Sequence, residues 1–353
     1  MTSSIYMGVM SGTSLDNIDV VVAKFFPLQI YDFFSHPIPP SVKSSVMNAL
    51  SNPSFSMHDM MKLNQQWVNL YSEAILMSKS RRKLSICAVG LHGQTVYHRP
   101  DQFGTWQLGT ISSISATCGM PVIGDFRSKD IALGGEGAPL APLFHQAFFA
   151  SEHTSRGIIN LGGIANISRL VPGRPVEGYD VGPANALLDA YSSAYLKKPY
   201  DHNGDFARQG QLIPSLLNKM LSDPYFSSLP PKSTGRDYFS LGWLQSMGIQ
   251  GLDSLDIMAT LVEMVAILLA RASTELGEVY YCGGGIKNAY LMERIQHHVG
   301  LPIKLTTELG IVPQMVEALG FAWLASEYNL NNKHDLSTIT GSKHPHVLGV
   351  CSL

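Results

Sequence analysis

The feature that most constrains this chain is a pair of strand, glycine turn, strand units set far apart. The first lies in IYMGVMSGTSLDNIDVVVAKF, where an apolar run meets a Gly/Ser/Thr turn and a second, β-branched run starts at Ile18. The second has the apolar run Gly157 to Leu161, the glycines Gly162 and Gly163, and a further strand-like run from Ile164 to Leu170. Each reads as a hairpin with a polar bend. A separation of roughly 150 residues is what two α/β lobes would show if each opened with its own hairpin. A length of 353 residues, too long for one ordinary core and too short for three, leads to the same expectation. We therefore expect two lobes, residues 1–150 and 151–353, with a cleft between them.

The segments between the hairpins fit mixed α/β structure. Residues from about Pro39 to Lys83 carry helical spacing, and Ile86 to Leu91 returns to strand. Val176 to Tyr179 reads as a short strand ended by Asp180, and Ala184 to Tyr195 as a helix. A polar loop (Lys197 to Gly210) and a Pro-containing segment (Pro230 to Arg236) follow. Leu255 to Leu276 is helical, Glu278 to Cys282 a strand, and a new helix begins near Asn288 after Gly283, Gly284 and Gly285. The last long helix is expected over Val312 to Tyr328, with a loop and frayed end beyond Asn329.

Composition narrows the function classes. With 45% hydrophobic and 15% charged residues the chain can fill large cores. A net charge of -2 provides no broad positive field, which argues against nucleic acid or an anionic membrane as the main partner. The basic run Arg81, Arg82, Lys83 reads as a solvated helix end. MTSSIYMGVMSGTSLD has neither the basic start nor the apolar core of a signal peptide, and no window approaches a spanning helix, so a cytoplasmic location is expected. Cys87, Cys118, Cys282 and Cys351 lack CxxC spacing and suggest no zinc site or disulfide framework.

Three glycine turns and a set of strand-end polar residues carry the chemistry. Gly12, Thr13 and Ser14, with Asp16 and Asp19 behind them, can wrap phosphate oxygens with backbone amides and hydroxyls, although a plain hairpin turn has the same composition. NLGGIANIS repeats that chemistry at Gly162, Gly163 and Asn166, and YYCGGGIKN puts a third glycine cluster where a strand hands over to a helix. Neither GxxxxGK[ST] nor a supported GxGxxG unit occurs, so the phosphate site is expected to be of the two-hairpin kind. Asp180 is placed either as a general base at a strand end or as the cap of the helix near Ala184. His92, Gln94, Arg127 and the stretch Gly134 to Pro142, including Gly137 and Ala138, suggest a lining for a hydroxyl-rich ligand, and Asn185 and Asp189 could face the same place. Glu317 interrupts an apolar helix face and is either an exposed position or a functional acid.

GVMSGTSLDNID, LHGQTVYH, DFRSKDIALGGEGAPLAP, NLGGIANIS, GYDVGPANALLDAY, PPKSTGRDYF, YYCGGGIKN and VEALGFAWLA resemble, in the same order, segments of the anhydro-N-acetylmuramic acid kinases. The resemblance runs from about Met7 to Tyr328. It implies a two-lobed actin/hexokinase-like (ribonuclease H-like) ATPase fold, ATP and Mg²⁺ as cofactors, and a homodimer. By the same resemblance Asp180 would be the base that deprotonates a water attacking the anomeric carbon, with Glu317 as a second acid. Gly12, Thr13, Ser14, Leu15, Asp16, Asn17, Ile18 and Asp19 would hold the ATP phosphates with Gly162 and Gly163, and Gly283, Gly284 and Gly285 the adenosine. Mg²⁺ would be held mainly by ATP phosphates and water. Asn17 and Ala184 stand where the family usually has glycine, and Glu136 where it usually has glutamine; Asn17 is a mild change because asparagine tolerates a left-handed turn, whereas Ala184 and Glu136 bear on sugar specificity.

The implied reaction opens the anhydro bridge with water and phosphorylates the departing O6, which avoids expelling a bare alkoxide. An ordinary sugar kinase, an actin-type ATPase and a glycosidase using Asp180 with Glu317 are the rivals. The last leaves the glycine turns unexplained. A bidentate guanidinium, Arg127 or Arg208, would suit the lactyl carboxylate of muramic acid.

Overall fold

The computed structural model of the protein describes residues 4–12, 14–52 and 54–353. The chain forms two compact units, one of Met1–Phe144 with Gln314–Leu353 and one of His145–Pro313.

In the first unit the hairpin of β1 (Ile5–Ser11) and β2 (Asn17–Lys24) is extended by β3 (Gln29–Pro37), all antiparallel. β4 (Ile86–Leu91) pairs parallel with β1, and β7 (Val122–Gly124) parallel with β4. β5 (Gln94–Arg99) and β6 (Gly104–Leu108) form a separate ladder between them. One sheet face carries Met7, Val9, Val20, Val22, Val89 and Leu91 into a core. Helix Met57–Arg81 covers that face with Leu63, Trp67, Tyr71, Ala74 and Ile75, a helical stripe, and Ser56 caps it by accepting from the Asp59 amide at 3.0 Å.

Period-two alternation puts Gly8 and Gly90 on the opposite face. Helix Val316–Asn329 lies there so closely that a Cβ on Gly8 would stand 1.8 Å from Ala318 O, and one on Gly90 2.0 Å from Phe321 O. This contact corrects the expected division of the chain: residues 314–353 belong with the first unit, because the glycines of β1 and β4 leave a groove only a close helix fills.

The tail is a second correction. β13 (Val350–Ser352) pairs antiparallel with β7, and Leu336, Ile339 and Leu348 are buried, so the chain beyond Asn329 is packed and not frayed. The sheet order is β13-β7-β4-β1-β2-β3.

The second unit repeats the plan. β8 (Arg156–Leu161), β9 (Ile164–Leu170) and β10 (Glu177–Pro183) are antiparallel, and β11 (Glu278–Cys282) and β12 (Lys304–Leu305) follow parallel to β8, in the order β10-β9-β8-β11-β12. Helix Ser254–Ala272, capped by Asp253 accepting from the Leu255 and Asp256 amides, buries Leu261, Val265 and Leu269 against Ile159, Ile167, Val279 and Tyr281. Five strands of each unit share one order and one sense, the ribonuclease H-like arrangement in duplicate. Among the described residues no helix is long and apolar enough to cross a membrane.

Candidate active site

The first hairpin turn is built around its apolar residues. Leu15 takes a positive φ of 58° and closes the turn by donating to Gly12 O at 3.2 Å, while its side chain, like that of Ile18, is buried in the core. The core thus anchors the turn, and its outer face is backbone and polar. A Cβ on Gly12 would meet nothing nearer than Ser14 Oγ at 3.9 Å, so the space beside it is open. Asp16 accepts from Lys43 Nζ at 2.7 Å on the surface, and Asp19 accepts from Ser35 Oγ at 2.5 Å. Asn17 is exposed at the start of β2. Thr13 lies outside the described residues. Below the turn, Ser11 Oγ donates to Gln94 Oε1 at 2.8 Å and shares a 2.5 Å hydrogen bond with Tyr71. All three side chains are buried, so Gln94, expected against the sugar, also props the first hairpin.

The other polar residues expected from the sequence in this unit do meet. Arg127 Nη2 donates to His92 Nε2 at 2.7 Å and its Nη1 to Gly137 O at 2.7 Å. Because arginine can only donate, His92 accepts through Nε2 and is neutral. Burial, then the Arg127 charge, holds its imidazole well below the usual histidine range. His98 on β5 lies close by and is pushed down to about 4, by burial first and by Arg127 second. The Gly134 to Ala138 loop is moulded around Asp130, which is fully buried and accepts from the Gly137 amide at 2.7 Å and from Thr340 Oγ1 at 2.9 Å. The Glu136 amide donates to Thr340 O at 2.8 Å, so the tail secures this loop from behind. Glu317 is half-buried in the first turn of its helix, where a carboxylate is favoured by the exposed amides, and so is not the exposed position that was one reading of it.

In the second unit Gly162, Gly163, Asn185 and the third glycine cluster form one place. Gly162 O accepts from Asn185 Nδ2 at 2.7 Å, and Gly163 O from the Ala184 and Ala186 amides, each at 3.0 Å. Asn185 thus ties the second hairpin to the start of helix Asn185–Tyr191, and a Cβ on Gly285 would collide with its Nδ2 at 2.7 Å. Gly283 abuts Asn160, whereas Gly284 faces open space with nothing within 4 Å. Asn160 Oδ1 and Asn166 Oδ1, on paired residues of β8 and β9, are buried with no hydrogen-bond partner among the described residues. Backbone with no side chain over it, beside unsatisfied acceptors, fits a nucleotide's flat base and hydroxyl donors.

Asp180 is not at the end of its strand. It sits inside β10, at a register shift between Asp180 and Gly182, and the helix after it is capped at Ala184 without any side chain, which removes the capping alternative. Its half-buried carboxylate is held by the Thr234 amide, which donates to Oδ2 at 3.0 Å. Its own amide donates to Lys232 O at 3.2 Å, and its carbonyl accepts from Tyr225 Oη at 2.7 Å. Burial, then the Asp180 charge, raises the Tyr225 phenol, which therefore stays a donor. Thr234 lies 54 residues from Asp180 and nothing in the spacing links them. Arg208, one of the two expected carboxylate readers, is paired with Glu293 at 2.8 Å and stacked on Tyr290. Among the described residues no cluster of three or more His, Cys, Asp or Glu could hold a metal ion.

Duplicated ribonuclease H-like sheets, each with a glycine hairpin between its first two strands, place the protein among the actin/hexokinase-like ATPases. The chain belongs to the anhydro-N-acetylmuramic acid kinase family, whose sequence model matches residues 4–352. Solved structures to which it is similar include the activator of the 2-hydroxyisocaproyl-CoA dehydratase from Clostridium difficile with bound ADPNP, at 16% identity over 94% of this chain and 99% of that one, with a TM-score of 0.44. A ROK family glucokinase from Streptomyces griseus in complex with glucose and AMPPNP is 14% identical over 92% of this chain and 100% of that one, with a TM-score of 0.43. The family match, and not these likenesses, carries the assignment.

Proposed function

We propose that the protein converts 1,6-anhydro-N-acetylmuramic acid, ATP and water to N-acetylmuramic acid 6-phosphate and ADP, in the recycling of cell-wall sugar. The observation that carries the reading is the setting of Asp180, a half-buried carboxylate with one oxygen held by the Thr234 amide. The amide's hydrogen bond fixes the direction of the carboxylate, as a general base needs. Asp180 takes a proton from water, the water oxygen bonds to C1, and the C1–O6 bond breaks as O6 accepts the phosphoryl group. Mg²⁺, held by ATP phosphates and water, would spread the charge on the triphosphate.

The chain's own residues supply the positioning. The backbone from Gly12 to Asp19, with Gly162 and Gly163, receives the phosphates, and Gly283 to Gly285 the adenosine. Neutral His92, Arg127, Gly137 and Ala138 line the sugar site, with Gln94 and Asn185 contributing. Arg127 is the better reader of the lactyl carboxylate, since it lies with His92 and Gly137 among the residues assigned to the sugar, whereas Arg208 pairs with Glu293 and stacks on Tyr290. Glu317 acts as the second acid. A cytoplasmic homodimer is the working form.

The test is ADP release by purified protein with Mg²⁺, with and without the anhydro sugar, followed by product mass in heavy-oxygen water. Sugar-dependent release and solvent oxygen on C1 support the coupled reaction; a phosphorylated sugar without added water points to an ordinary sugar kinase. Asp180→Asn should fold, bind ATP and lose about 10²–10⁴ in kcat. A near-normal rate removes Asp180 from the mechanism.

A further inference from the structure

The motif PPKSTGRDYF supplies more than the Thr234 amide, because it meets both the carboxylate and the backbone of Asp180. β10 is the edge of its sheet, and residues 232–234 run along its outer side. From there the Asp180 amide meets Lys232 O at 3.2 Å and the carboxylate meets the Thr234 amide at 3.0 Å. Tyr225 holds the remaining backbone group, the carbonyl, at 2.7 Å. One residue is therefore gripped at its N–H, its C=O and its side chain, at a point where the strand's own pairing shifts register.

The grip is itself braced. Lys232 Nζ donates to Tyr225 O at 3.0 Å and lies over the rings of Tyr225, at 4.7 Å, and of Tyr179, at 5.7 Å. Half-burial lowers the pKa of this ammonium, and the two ring faces offset part of that cost. Behind Tyr225, Phe239 packs edge-on at 5.5 Å, and Asp223 accepts from the Tyr225 amide, Tyr238 Oη and Trp243 Nε1. Gly182, just past the register shift, leaves room for Phe226, from which a Cβ there would stand 2.9 Å. The scaffold therefore backs the bulge on both sides of Asp180.

We propose that Tyr225 and Lys232 are positioning residues for Asp180: they clamp segment 232–234 against β10 so that the Thr234 amide sets the direction of the carboxylate. The inference rests on the reading of Asp180 as the base. Without the clamp, substrate and ATP still bind, but the carboxylate is no longer aimed, and a small misplacement of a base costs rate rather than affinity.

The experiment compares Tyr225→Phe and Lys232→Met, each alone and combined with Asp180→Asn, in sugar-dependent ADP release, with melting and ATP affinity measured alongside. Each single variant should lose about tenfold in kcat with KM for sugar and for ATP changed less than twofold, and Lys232→Arg should recover most of the loss. On the Asp180→Asn background neither change should matter, because the group being positioned is gone. Wild-type kcat in both variants, a loss confined to KM, a full tenfold loss repeated on the Asp180→Asn background, or lost ATP binding or melting would overturn the proposal. A near-normal Asp180→Asn rate would instead defeat the base reading on which it stands.

Discussion

Gly90→Ala should uncouple the last helix from the first sheet. The added Cβ would stand 2.0 Å from Phe321 O, 2.7 Å from Phe321 C and 3.1 Å from Ala325 Cβ, so the helix must retreat by roughly 1 Å to reach even a tight contact. Backbone cannot escape by changing rotamer, which puts the cost at or above the upper end for overpacking, about 3 kcal/mol. A gap of that size also forfeits a quarter to a half of each dispersion contact across the helix–sheet face. For a unit of this size we expect the melting temperature to fall by about 6–12 °C. Activity should suffer too, because Phe321 packs on His92 at 4.8 Å and on Phe126 at 5.5 Å, and His92 carries Arg127. The assay is thermal melting by circular dichroism with the sugar KM measured in parallel. A variant melting within 1 °C of wild type would refute the close-packing argument and with it the reason given for where residues 314–353 belong.

Gly284→Ala is the contrasting case: with no atom within 4 Å of the new methyl, stability should stay within about 0.5 kcal/mol while ATP affinity by calorimetry weakens about tenfold. Thr340→Val removes a buried hydrogen bond to the Asp130 carboxylate and should cost about 1.5–3 kcal/mol in urea unfolding, raising the sugar KM but not that for ATP. His98 has its folded pKa depressed to about 4, so as pH falls below about 6.5 the unfolded chain gains a proton that the folded one refuses, and stability drops until pH approaches 4. His98→Gln should therefore show a stability slope shallower by up to about 1.4 kcal/mol per pH unit between pH 6 and pH 4.5, read by urea titration at each pH. An unchanged slope would mean that His98 titrates normally.

Much of the local structure was legible because its signals are local. The runs Ile86–Leu91, Ile164–Leu170 and Glu278–Cys282 are strands over the residues that their apolar, β-branched composition marks. The Asp180 strand was misjudged: it continues through Gly182 and Pro183, which read as breakers, because a register shift at an edge strand accommodates both. The tail was misjudged for the opposite reason. A segment after the last long helix reads as a frayed end, but Leu336, Ile339 and Leu348 are buried, and the β13–β7 ladder and the Thr340 contacts with Asp130 and Glu136 tie the segment down.

By itself, then, the order of residues determined the two glycine hairpins, the third glycine turn, the family, and the identity of the carboxylate proposed as base. The turns are short contiguous patterns, and the family is the fixed order of eight such patterns between about Met7 and Tyr328. Only the tertiary structure decided that Thr234, Lys232 and Tyr225 grip Asp180, that Asp130 and Thr340 mould the Gly137 loop, and that the last helix returns to the first sheet. Tyr225 and Asp180 are 45 positions apart, Asp130 and Thr340 are 210 apart, and the last helix and the first sheet are further apart still; which faces pack together sets such contacts, and no period or motif along a chain encodes a partner at that distance.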